Sequence, residues 1–141
     1  MRVIGLDFGL KRIGVAVSDE GARLAQPLKV LPNGSMKQVM DELGRIIAEY
    51  SAGAVVMGDP RQPGGGEGKL APRVRELASL IQEKFGLKVV LRDERYTSFE
   101  AGERLREAGE TNWRSRKEKL DQAAAAIILQ DYLDSLQGGK G

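Results

Sequence analysis

Val3-Ile4-Gly5-Leu6-Asp7-Phe8-Gly9-Leu10-Lys11-Arg12-Ile13-Gly14-Val15-Ala16 reads as a buried strand, a glycine turn and a second strand returning beside the first. Residues 2–8 and 12–18 are β-branched and apolar, separated by Gly9, Leu10 and Lys11, which is a hairpin signal. Asp7 is the one side chain that the apolar run does not explain. A lone acid in a buried strand is costly unless it is paired or bound to a cation. The expectation is that Asp7 binds a divalent metal and that later acids converge on it. The bland alternative is a turn former, with Asp7 capping Gly9 through an Asx bond.

Beyond this hairpin, Asp19-Glu20-Gly21 makes a turn and residues 24–31 read as a third strand. Pro27 cannot donate to a ladder, so that strand belongs on an edge. The period then changes. Met36, Val39, Met40, Leu43, Ile46, Ile47 and Tyr50 recur at three- and four-residue steps, which predicts a helix, and Ser35 with Gln38 reads as its capping box. Ala54-Val55-Val56-Met57-Gly58 is a short apolar run typical of a buried parallel strand. Residues 59–68 read as loop. A second helix carries Leu70, Val74, Leu77, Ile81 and Phe85 on one face, and Leu87 to Leu91 forms the last strand. Thr97 with Glu100 caps a short helix ending at Gly109, and Ser115 with Glu118 caps a final helix reaching Leu136. The pattern predicts an α/β domain over residues 1–137 with a frayed tail at 138–141. Its five-stranded mixed sheet has three antiparallel then two parallel strands, flanked by helices.

Composition narrows the chemistry. The 141 residues include no His and no Cys, so the usual zinc sites and the Ser-His-Asp and Cys-His devices cannot be built. Carboxylates, Lys, Arg, hydroxyls and oxygen-bound ions such as Mg²⁺, Mn²⁺ or Ca²⁺ remain. The net charge is +2, so any basic surface must be local. No apolar run approaches the roughly 20 residues that span a bilayer, and with the N-terminus running straight into a strand no signal peptide is expected. With Cys absent, a cytoplasmic protein is expected.

Three places hold acids to explain: Asp7, then Asp93-Glu94 beyond the last strand, then Asp121 in the final helix. Asp121 shares a face with Ala124, Ala125 and Ile128, and small residues there let the helix approach the sheet closely. Ligands gather at the carboxyl ends of strands in open α/β sheets, where Asp7 and Asp93-Glu94 both lie. Clustered carboxylates need a cation, and two divalent ions about 3.5–4 Å apart suit in-line phosphodiester hydrolysis. The competing readings are ion pairing of Asp93-Glu94 with Arg92 and Arg95, and an ordinary helix-start acid at Asp121. Basic residues cluster at Lys11 and Arg12 and at Arg114, Arg116, Lys117 and Lys119 beside Trp113, a pattern suited to phosphate contacts and one stacking aromatic.

These residues resemble the YqgF/RuvX family. Gly5 through Ala16 with Ser18-Asp19 is similar to its opening block, Asp93-Glu94-Arg95-Tyr96-Thr97 to its second, and Asp121 with Ala124-Ala125 and Ile128-Leu129 to its third. The resemblance spans nearly the whole chain. It implies an RNase H-like fold and a Mg²⁺- or Mn²⁺-dependent nuclease in 5′-end processing of pre-16S rRNA, within ribosome biogenesis. It also implies Asp7, Glu94 and Asp121 as metal-binding catalytic acids, with Asp93 an additional candidate. Lys11, Arg12, Arg95, Arg114, Arg116 and Lys117 are the expected nucleic-acid contacts. The partner is then structured RNA or branched DNA, not a membrane, and the protein a monomer or homodimer. One departure is Gly58-Asp59-Pro60, where the family usually has Gly-Leu-Pro. A Holliday junction resolvase is the rival within the class. An ATP-binding module, suggested by Asp-x-Gly before a basic hairpin, and a non-catalytic RNA-binding assembly factor are rivals outside it.

Overall fold

The computed structural model describes residues 1–59, 70–93 and 113–137, of which residues 59, 93 and 113–122 are described by their backbone alone. The strands are β1 (Arg2–Phe8), β2 (Arg12–Ser18), β3 (Ala25–Pro32), β4 (Ala52–Asp59) and β5 (Lys88–Asp93). The helices are α1 (Met36–Tyr50), α2 (Ala71–Phe85) and α3 (Trp113–Gln137).

The strands form one sheet in the order β3-β2-β1-β4-β5. β1 pairs antiparallel with β2, and β2 with β3. β1 pairs parallel with β4, and β4 with β5. The expected mixed sheet is therefore present, with β1 at its centre. β3 is an edge, as Pro27 requires, and the ladder shifts register between Val15 and Ala16, leaving Leu28 as the extra residue of a bulge.

Alternation along the strands builds two apolar layers. Ile4, Leu6, Val55 and Met57 face α1 and α2, meeting Leu43, Val74, Leu77 and Ile81. Val3, Ala16, Ala54 and Val56 face α3, meeting Ala125, Leu129 and Leu133. The Ser35 capping box is complete, with the Gln38 N–H on Ser35 Oγ at 3.2 Å and the Ser35 N–H on Gln38 Oε1 at 3.3 Å. Helix α2 stops at Gly86, whose φ of 66° only glycine adopts without strain.

Several boundaries differ from the sequence reading. Ser115 lies inside α3, which already runs at Trp113. Neither Trp113 nor Arg114 is a helix breaker, so the Ser-x-x-Glu pattern does not mark the start. Parallel pairing carries β4 through Asp59 and β5 through Asp93, opposite each other in register. Asp59 and Asp93 therefore end strands and do not begin loops. The rest of the expected 59–68 loop, the Thr97–Gly109 helix and the 138–141 tail lie outside the described residues. Among the described residues, no helix is long and apolar enough to cross a membrane.

Helix α3 lies on β1 at Gly5. A Cβ built there would sit 2.7 Å from Leu129 Cβ and 3.0 Å from the Ala125 carbonyl oxygen. Gly5→Ala should cost about 1–3 kcal/mol through overpacking, read by urea denaturation. Gly21→Ala, where the nearest atom is 4.0 Å away, should be close to neutral.

Candidate active site at the carboxyl end of the sheet

Asp7 is the penultimate residue of β1, partly buried and paired in register with Gly14. Val3 packs in the α3 layer and Gly5 meets Ala125 and Leu129. Asp7 keeps that strand parity, so it belongs to the α3 face.

The direction of α3 follows from its contacts. Five residues after Ala125, Gln130 Oε1 accepts from the Ala25 N–H at 2.9 Å and its Nε2 donates to the Arg23 carbonyl at 2.8 Å. Ala25 pairs with Ser18, whose hydroxyl accepts from the Val3 N–H at 2.8 Å. Helix α3 thus runs from the Asp7 end of β1 toward its Val3 end. Its N-terminal turns, which hold Asp121 four residues before Ala125, lie on the side of the carboxyl end of β1. Asp7 and Asp121 therefore both lie beyond the Gly5 contact on that side.

The other candidates divide. Asp93 ends β5 opposite Asp59. Glu94 and Arg95 lie outside the described residues. Arg114, Arg116, Lys117 and Asp121 all fall in the first half of α3, described by backbone alone. Lys11 is exposed in the β1–β2 turn, and Arg12 opens β2 opposite Pro32, partly buried. Arg92 reaches α3, its Nε donating to Asp131 Oδ2 at 2.8 Å. Among the described residues no three acids gather as a metal site; Asp7 is the only one of the four candidate acids whose side chain is described.

Two neighbours of this end carry no sequence signal of their own. Arg73, exposed in the first turn of α2, places its guanidinium 5.8 Å from the Phe8 ring centroid, a cation–π distance. Asn33, just past β3, binds both carbonyls that flank Leu10. Its N–H donates to Lys11 O at 2.9 Å and its Nδ2 to Gly9 O at 2.6 Å. The perturbed carboxyls serve local structure elsewhere. Asp19, held below the usual carboxylate range by the N–H groups of Arg23 and Leu24, closes a turn at the opposite end of the sheet. Asp41, held down by its hydrogen bond from Lys37, lies on the outside of α1.

The RuvX family model, described as "RuvX: Holliday junction resolvase", matches residues 1–135. The chain belongs to the RuvX family. A Thermoanaerobacter pseudethanolicus protein named "Putative pre-16S rRNA nuclease" is 38% identical over 135 residues, covering 96% of this chain and 97% of its own. A Nitrosospira multiformis protein of the same name is 40% identical over 131 residues, covering 93% and 86%. Among solved structures, Thermus thermophilus RuvC superposes with a TM-score of 0.62 at 16% identity, over 98% of this chain and 97% of that one. The fowlpox virus resolvase, solved with Holliday junction DNA, gives 0.60 at 14%, over 96% and 99%. This RuvX member thus has the RNase H-like fold that its opening block implies.

The turn beside Asp7 is tightly closed, since a Cβ at Gly9 would lie 2.8 Å from the Arg12 carbonyl oxygen. That oxygen is backbone and already accepts the Gly9 N–H at 2.8 Å. Gly9→Ala should therefore destabilise by about 1–3 kcal/mol, read as a lowered melting temperature.

Proposed function

We propose that this protein is a divalent-metal-dependent nuclease that hydrolyses phosphodiester bonds in structured RNA, at the 5′ end of pre-16S rRNA, in the cytoplasm. Asp7, Glu94 and Asp121 would hold the metal, Mg²⁺ or Mn²⁺. The donor set is all oxygen, in a chain without His or Cys, which suits these hard ions. When bound, such ions activate water and stabilise the leaving oxygen.

The observation that carries the reading is that Asp7 and Asp121 both lie on the carboxyl-end side of the contact that Gly5 makes with Ala125 and Leu129. The likeness of Asp93-Glu94-Arg95-Tyr96-Thr97 to the family's second block favours Glu94 over Asp93 as the third ligand. Lys11, Arg12, Arg95, Arg114, Arg116 and Lys117 would contact phosphates around this end of the sheet, fixing the strand in place while the acids act at one bond.

The family description also supports branched DNA as substrate. Resolving a junction takes two cuts, so a stable dimer suits that reading and a monomer suits RNA. A side-by-side assay of pre-16S RNA and a four-way DNA junction with Mn²⁺ separates them, with RNA cleavage expected. Asp7→Asn and Asp121→Asn should abolish cleavage while the fold persists; normal cutting by either purified variant overturns the site.

Metal binding has its own readout. Mn²⁺ at a hundred times its dissociation constant should stabilise the wild type by about 2.7 kcal/mol, seen as a raised melting temperature, and Asp7→Asn should lose that shift. Replacing Arg116 and Lys117 with Ala should weaken nucleic-acid binding and lower its salt slope by about two. An unchanged slope would make those two residues ordinary solvated surface.

A further inference from the structure

Leu10 and Lys11 form the tip of the β1–β2 hairpin, closed by the Gly9 N–H on Arg12 O at 2.8 Å. Tight hairpins favour type I′ or II′ turns, which need positive φ at one or both central residues. Among the described non-glycine residues only Ala22 and Ser51 have positive φ. The Leu10-Lys11 turn therefore lacks the geometry that would make it self-supporting, and Leu10 gains nothing from burial, being 76% exposed.

Support comes instead from Asn33, twenty-four positions from Gly9 along the chain. It reaches the carbonyls on both sides of Leu10, one with its backbone N–H and one with its side chain. Donation to Gly9 O fixes which way the amide faces. Among the described residues its Oδ1 is left buried with no hydrogen-bond partner. A buried acceptor without a donor is costly. The amide tolerates that cost in the one orientation that holds the turn.

We propose that Asn33 is a positioning residue for nucleic-acid binding: by clamping the carbonyls that flank Leu10, it fixes the turn that presents Lys11 four residues from Asp7. This rests on the nuclease reading above, in which Lys11 contacts a phosphate. A rigid turn presents its ammonium with less ordering to lose on binding. A loose one would spread it over many positions.

The test is binding of a 5′-extended 16S rRNA fragment in EDTA across a salt series, beside thermal melts. Asn33→Leu keeps the size, adds no charge and removes both the Nδ2 donor and the orphaned Oδ1; Asn33→Ala serves if Leu fails to fold. Either should weaken binding about tenfold, the scale of one charge-assisted contact. The salt slope should fall by about one, as in Lys11→Ala. The double variant should bind no more weakly than Lys11→Ala alone, since one residue acts through the other. A purely structural role would lower the melting temperature and leave the slope intact, which overturns the proposal. So would additive losses in the double variant, or a silent Lys11→Ala. Cleavage by Asp7→Asn is measured in parallel. If that variant cuts normally, the nuclease reading is what failed; if it is dead while Asn33→Leu binds as wild type, only the clamp is wrong.

Discussion

The absence of a side chain at Gly5 is the constraint on which the rest depends. Helix α3 comes so close to the central strand that a single added carbon would meet both a side chain and a carbonyl of the helix. Ala125, at 0% exposure, makes the approach possible from the other side. That contact sets the height of α3 along β1, and with it the height of every acid the helix carries. Two residues onward in the strand stands Asp7, and one turn back in the helix stands Asp121. A larger residue at Gly5 would shift one against the other.

The sheet has two edges of different character. β3 is blunted by Pro27 and the bulge at Leu28, which discourages edge-to-edge pairing. β5 ends at Asp93, in register with Asp59 of β4. Acids at adjacent strand positions repel unless a cation or a basic partner intervenes. The Gly58-Asp59-Pro60 departure therefore adds negative charge at the same end of the sheet as Asp7.

Elements governed by local periodicity were legible in the sequence. The hairpin, the edge strand with its proline, the two apolar faces and the Ser35 capping box all follow from spacings within a few residues. The close approach of α3 was foreshadowed by the alanine run, because small residues in a buried helix have one main use. Boundaries set by partners were less legible. β4 and β5 extend through Asp59 and Asp93 because each supplies the other's ladder, which neither stretch announces alone. The Ser115-x-x-Glu118 spacing imitates a cap inside a helix. Asn33 carried no signal at all, since its role exists only once the end of β3 lies against the turn at residues 9–11. Arg73 is similar: helical spacing gives the buried face of α2, and only the packed structure brings its first turn to Phe8.

The order of the sheet also has a consequence in time. The β1–β2 hairpin closes over a handful of residues, but β1 finds β4 only after residue 52, and α3 reaches Gly5 only once Leu129 has been made. Contacts of such long sequence separation form late, because chain closure must come first. During synthesis the nascent hairpin already displays Asp7 and its basic turn, while the helix carrying Asp121 is still inside or just leaving the ribosome. On the proposed nuclease reading, acids carried by β1 and α3 would come together only after α3 has packed on Gly5, so activity would wait for that late contact.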